Sequence, residues 1–402
     1  MDCFGSSSLA MTFNSTYRIT LVCLACMLLG IMGCAGRGKL KLKAQELDAV
    51  QADSAPWFQY RGGERASESS EMQFPLSVKW RKKMTALGGT APGAAGSLIF
   101  AGTLNGFLDV LKTSDGDRIA RLRNRRTGVH AAPLIFQDQL IWAFGRGEET
   151  LVCWNLRTGR RYWEKSLGAI DVSPLLWKEQ VLTAGLNGKL TSVRIENGDT
   201  EWETDMNAAV YSTPVIVRDK IFVAAMDGIV HALNADDGEE VWACSTGAAL
   251  YAPLSTDNQT LYIGSAEHTI IAVDCNTGDV KWTQPVGGRV YGGIAVAGNT
   301  LVFGCNDRTI YGVDRQTGEV NWTVTTGGVV NTTPLVVGES ILVGSLDHSL
   351  YAIDTQSGDI QWQFETEGQV RSSPILYRGH IYVASEVKWM YCFEPASSSG
   401  AE

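Results

Sequence analysis

The side chains best suited to covalent or metal chemistry in this 402-residue chain are few and scattered. His130, His231, His268, His348 and His380 are spread singly along it, and no H-E-x-x-H, nucleophile elbow or Walker loop occurs. Cys153, Cys244, Cys275, Cys305 and Cys392 are odd in number and lack metal-ligand spacing. They read as buried small residues, with one bridge left open for an exported chain. Recognition chemistry is better represented. Segments such as V-Y-S-T-P and V-N-T-T-P recur, and their second position reads His130, Asp171, Tyr211, Tyr251, Tyr291, Asn331 and Arg371. Three successive tyrosines beside charged and polar groups suit capture of a peptide or exposed strand. The plainer reading is that this position only caps a channel. A second cluster, Arg118, Arg121, Arg123, Arg125 and Arg126, suits lipid head groups or an acidic partner, or more plainly a solvated outer strand.

The elements that position these residues follow from a repeat. Trp163, Trp202, Trp242, Trp282, Trp322 and Trp362 are 39, 40, 40, 40 and 40 residues apart. A fixed period of this size means one supersecondary unit copied many times. Within a copy, Thr332 to Trp362, short apolar runs alternate with turn residues and leave no room for a helix. Asn105-Gly106, Asn187-Gly188, Asp227-Gly228 and Asp237-Gly238 mark tight hairpins in other copies. Each copy is therefore expected to be a four-stranded antiparallel meander, with strands A to D.

Prolines count the units independently. Pro92, Pro133, Pro174, Pro214, Pro253, Pro334 and Pro374 precede strand A, with Gly293 in the remaining place, which makes eight. Ala120 takes the tryptophan place of the first unit. The last unit has only three strands, and the segment from Phe74 to Lys82 is a fourth strand with no unit before it. Joining the two closes a ring and removes the open edge. The expectation is an all-β protein, an eight-bladed β-propeller over 74–394.

The stretches AVDCNTGDVKW (272–282), GVDRQTGEVNW (312–322) and AIDTQSGDIQW (352–362) resemble the A-x-D-x-x-T-G-x-x-x-W repeat of PQQ-like propellers. The Trp-Asp signature of WD40 repeats is absent, and Gly-His occurs only once, at Gly379-His380. In that family the tryptophan packs between adjacent blades. The family also contains PQQ-dependent dehydrogenases, whose sites use a calcium held by acidic and amide groups and commonly two adjacent cysteines. No Cys-Cys occurs here, and the loops are mostly Gly, Thr and Ala. Neither a cofactor, a metal nor an enzyme is therefore expected.

The first 34 residues stand apart. Arg18 precedes the apolar run Ile19 to Met32, about the length of a signal h-region and short for a bilayer span. Ile31-Met32-Gly33-Cys34 resembles a bacterial lipobox. The reading is a lipoprotein signal peptide over 1–33, lipid attachment at Cys34, a polar tether over 34–73 and a disordered tail over 395–402. Met11 is a second candidate start. Within the tether, PWFQYRGG (56–63) resembles a segment that precedes many PQQ-like propellers. The net charge of −9 argues against a nucleic-acid partner.

Together these features resemble the BamB family of lipid-anchored assembly factors. The resemblance implies a non-catalytic, monomeric binding scaffold on the periplasmic face of the outer membrane. Its partners would be the barrel-assembly machinery or an unfolded outer-membrane client. That family presents a Leu-x-Leu-Arg loop and an acidic pair before strand A. The corresponding loops here, GAIDVSP (168–174) and AAVYSTP (208–214), keep only Asp171. The alternatives are a periplasmic ligand- or protein-sensing propeller and, more distantly, a PQQ-dependent dehydrogenase.

Overall fold

The computed structural model describes residues 41–51, 72–84, 91–103, 106–123, 131–386 and 389–396. They form eight four-stranded antiparallel sheets. Blade 1 holds Gly93–Ala95, Leu98–Gly102, Phe107–Lys112 and Arg118–Arg123. Blade 4 is a regular copy, with Val215–Val217, Lys220–Ala224, Ile229–Asn234 and Glu240–Ser245. In each sheet the strands follow in order A-B-C-D, so strand A lies at one edge and strand D at the other. The first strands of neighbouring blades approach one another, as Gly93–Ala95 does Leu134–Phe136. The A edge is therefore the inner edge and D the rim of the ring.

Burial follows this layout. Strands B and C are covered on both faces by adjacent blades, and Leu98–Gly102 and Thr300–Gly304 are buried throughout. The outer strands alternate between exposed and half-buried residues, as in Thr200–Asp205. Each recurrent tryptophan lies in that outer strand and reaches across to the next blade. The indole Nε1–H of Trp282 donates to the Arg315 carbonyl at 3.2 Å, and that of Trp322 to Thr355 at 3.0 Å. The ring lies flat on the next turn glycine. A Cβ on Gly238 would sit 2.3 Å from Trp202 Cε3, and its φ of +73° already favours glycine. The tandem T-G and W positions are thus two halves of one inter-blade joint.

The ring closes as the unpaired ends require. Leu76–Lys83 pairs antiparallel with Trp389–Pro395, from Leu76 opposite Pro395 to Lys83 opposite Trp389. Trp80 then serves the seam between blades 8 and 1. Its Nε1–H donates to the Thr113 carbonyl at 2.9 Å, and the Tyr377 hydroxyl of blade 8 donates to the Gly96 carbonyl of blade 1 at 2.9 Å.

Two expectations are corrected. In blades 5 and 6 the residue just before strand A is Leu254 and Ile294, not Pro253 and Gly293, because Ser255 and Ala295 start the pairing. The proline of blade 5 lies one position early, and blade 6 has none. Secondly, part of the segment expected as a tether is an ordered helix, α1 (Ala44–Gln51). Leu42, Leu47 and Val50 lie along one side of this segment and are buried. Residues 34–40, with Cys34, and 52–71 lie outside the described residues, as do the signal segment 1–33 and the end of the tail, 397–402.

Candidate functional site

The mouth of the ring is built by the lead-in segment of each blade, just before strand A. Main-chain bonds fix it on both sides. In blade 6, the Val290 N–H donates to the Ser265 carbonyl of blade 5 at 3.3 Å, and Asn306 N–H donates to the Arg289 carbonyl at 3.0 Å. The same pair of bonds recurs in blade 4 through Val210 and Ala209. Val210, Leu250, Val290, Val330 and Val370 are fully buried. In an extended segment the next side chain points the opposite way, which brings Tyr211, Tyr251, Tyr291, Asn331 and Arg371 to the mouth. Hydroxyls one step before the proline place tie the blades together. Ser173 Oγ accepts from Ala132 N–H at 2.9 Å, and Ser373 Oγ accepts from Thr333 N–H at 2.9 Å.

On this frame the three tyrosines meet. The Tyr211 and Tyr251 rings are 5.6 Å apart at 39°, and Tyr251 and Tyr291 are 6.0 Å apart at 76°. Both distances fall in the range for favourable aromatic pairs. Tyr211 is the most open, at 37 % exposure, and the other two are half-buried. The arc therefore spans three adjacent blades and offers ring edges and hydroxyls. Arg289 extends it, because its guanidinium donates to the Tyr291 hydroxyl at 3.3 Å. Sequence reading missed Arg289. Aligning the repeats exposes it, since the same position holds Ala209 in blade 4 and Ala249 in blade 5.

The other described rim residues do not join the arc. Asp171 is half-buried in blade 3. Asn331, in blade 7, has a buried Oδ1 with no hydrogen-bond partner among the described residues. Arg371 is held within blade 8, ion-paired to Glu386 and donating to Gln369 Oε1 at 3.0 Å. His130 lies outside the described residues.

The arginine cluster is divided. Arg121 is engaged by a fully buried carboxylate, with Nε 2.5 Å from Asp109 Oδ1 and a second bond of 2.7 Å to Oδ2. Arg121 and Arg123 also cover the Phe107 ring, at 5.0 and 5.5 Å. Arg118 lies 3.9 Å from the same carboxylate and is largely exposed. Arg125 and Arg126 lie outside the described residues.

The described cysteines offer no activated nucleophile. All five described thiols are free, and four are buried. Burial pushes Cys305 and Cys392 up to about 12 and Cys275 up to about 11, so the reactive thiolate is suppressed. Tyr311 and Tyr351 are likewise pushed up to about 12, first by burial and then by hydrogen bonds to Asp307 and Asp347. They act as latches: the Gly287 N–H donates to the Tyr311 hydroxyl at 3.1 Å, and Gly327 N–H to Asp347 Oδ2 at 2.8 Å. Among the described residues no group of three His, Cys, Asp or Glu side chains is placed to hold a metal. No described helix is long and apolar enough to cross a membrane.

Comparison with known proteins places this geometry. The family described as outer membrane protein assembly factor BamB matches residues 77–225, 147–285 and 226–398. BamB from Moraxella catarrhalis superposes with a TM-score of 0.67 at 15% identity, over 80% of this chain and all of that one. A europium-containing methanol dehydrogenase superposes at 0.69 and 12% identity, over 87% of this chain and all of that one. A quinohemoprotein alcohol dehydrogenase from Pseudomonas putida HK5 gives 0.69 and 11%, over 90% and 84%. At these identities the likeness shows the fold alone. No curated protein sequence matches the chain.

The dehydrogenases raise the question whether the mouth fits a quinone and its calcium. The rim oxygens of Asp171 and Asn331 belong to blades 3 and 7, four apart in a ring of eight and so on opposite sides. The described thiols lie in blades 2, 4, 5, 6 and 8, with no adjacent pair. Calcium needs six to eight converging oxygens. The described residues do not fit that group.

Proposed function

The chain belongs to the BamB outer-membrane assembly-factor family, and on that premise we propose that it is a non-catalytic binding scaffold, anchored through Cys34 to the periplasmic face of the outer membrane, that captures a protein during β-barrel assembly. The observation that carries the reading is the arc of Tyr211, Tyr251 and Tyr291. The repeat does not require tyrosine at this position, since other blades use Asp171, Asn331 or Arg371 there. Large half-exposed rings on a hydrogen-bonded platform lose little conformational freedom on binding and supply both apolar area and donors. A peptide or exposed strand of a client, or a loop of the barrel-insertion machinery, is the matching partner class. The absence of the Leu-x-Leu-Arg loop directs attention to this arc as the contact that replaces it.

The test is capture of the lipidated protein from membranes, followed by mass spectrometry of what accompanies it. The reading predicts components of the barrel-insertion machinery or barrel precursors, depleted when the three tyrosines are replaced by alanine. Recovery of a sensor kinase or of a cytochrome instead would contradict it.

A further inference from the structure

The blade 1–blade 2 seam lacks the tryptophan that the other seams rely on. Ala120 stands opposite Val110 in the place where Trp282 stands opposite Ala272 and Trp322 opposite Gly312. An alanine cannot reach the next blade. Yet the seam is closed, because Leu42, Leu47 and Val50 of the α1 segment pack into the core shared by blades 1 and 2. Ala120 and Ile119 line one side of that core and Trp154 and Leu156 the other.

The hydrogen bonding matches as well. At four of the regular seams the indole of Trp163, Trp242, Trp282 or Trp322 donates to the carbonyl just after strand C of the next blade, Ile195, Cys275, Arg315 and Thr355 in turn, while the buried Trp202 Nε1 has no such partner among the described residues. The equivalent carbonyl in blade 2 belongs to Leu156, whose own N–H bonds Asp138 just as that of Ile195 bonds Glu179. Leu156 O accepts a bond of 2.9 Å from the Leu42 N–H. The helix is capped for this task, since Lys43 N–H donates to Glu46 Oε2 at 2.8 Å.

We propose that the outer groove between blades 1 and 2 is a helix-binding site whose occupant is residues 41–51 of this chain, supplying both the apolar volume and the hydrogen-bond donor of the missing indole. The segment is then part of the ring, and not a leash. A lipid anchor at Cys34, which rests on the reading above, would lie seven residues from this docked element, where the closing strand region at Phe74 is forty away. The groove's role itself does not depend on the anchor.

The test uses the full chain with Leu42, Leu47 and Val50 all changed to alanine, alone and combined with Ala120→Trp. Removing three buried aliphatics should lower the melting temperature by about 5 °C or more for a ring of this size. It should also abolish amide-exchange protection at Leu42. Ala120→Trp should restore most of the lost melting temperature, because its indole can reach Leu156 O. In the otherwise native chain, Ala120→Trp should compete with the helix and reduce protection across 42–50. An unchanged melt in the alanine variant would overturn the proposal, as would failure of Ala120→Trp either to rescue it or to lower protection in the native chain. Cys34→Ser leaves all of these outcomes unchanged, which separates this proposal from the anchor.

Discussion

Trp80→Ala examines the closure of the ring at a single side chain. Trp80 belongs to the strand Leu76–Lys83, which joins the last blade from the other end of the propeller. Its side chain is 9 % exposed, stands 5.9 Å from the Tyr382 ring and covers Gly116, where a Cβ would come within 2.6 Å of it. Its Nε1–H satisfies the Thr113 carbonyl. Buried Trp→Ala changes cost about 3–5 kcal/mol, from lost transfer energy and the cavity left behind. About 320 folded residues, at about 2.1 cal/mol/K each, convert this to a fall of about 4–7 °C in melting temperature. Ile360→Ala is the control, on an outer strand with 47 % exposure, and should shift stability by no more than about 0.5 kcal/mol. Thermal melts and urea titrations measure both. Deleting residues 74–82 should go further, leaving the Trp389–Pro395 edge unpaired and the protein prone to associate. A Trp80→Ala protein that melts with the wild type, together with a truncated one that stays monomeric, would refute this account of closure.

Asp314 and Asp354 are held below the usual carboxylate range, chiefly by the Thr317 and Ser357 amides that donate to them. Their folded pKa values lie below the unfolded value of about 3.9, so the stability they contribute is present above it and is lost as pH falls through the folded values. Changing both to asparagine, which still accepts from those amides, should flatten the loss of melting temperature below about pH 4. Arg121→Ala should cost about 3 kcal/mol, because it strands the buried Asp109, at the low end of the buried-pair range since Arg121 keeps a quarter of its exposure. Arg118→Ala should stay within about 0.5 kcal/mol, and equal effects in urea titrations would contradict the division of this cluster. Cys34→Ser should release the protein from membranes or leave the precursor unprocessed, read by fractionation and intact mass; unchanged partition would remove the anchor.

Much of the fold was legible because a repeated signal averages out local ambiguity. No single copy is decisive, but Trp163 to Trp362 set the period, and the unpaired strands at each end implied closure. The tyrosine arc was legible for the same reason, since equivalent positions in adjacent blades must be neighbours. What departed from the repeat was harder to read. Leu47 and Val50 form a weak apolar side in a short polar helix, with Leu42 just before it, and only the vacancy at Ala120 across the sequence explains why they are buried. The shift at Pro253 is masked by the residue type, since the proline itself stands 39 residues after Pro214 where the period of 40 and the strand register both point to Leu254. The bidentate hold of Asp109 on Arg121 depends on cross-strand pairing that the arginine run does not reveal. Arg289 was hidden by reading only one position of each lead-in segment.

The most direct measurement of the central claim is the affinity of the purified ring for the purified barrel-insertion machinery, wild type against the protein with Tyr211, Tyr251 and Tyr291 all changed to alanine. Hot-spot truncations cost about 2 kcal/mol or more, roughly a 30-fold loss of affinity. The account predicts at least that loss with a melting temperature close to wild type, because the arc rests on the ring and does not hold it together. Undiminished binding by the folded triple variant would contradict the claim that the mouth of this propeller is where its partner is caught.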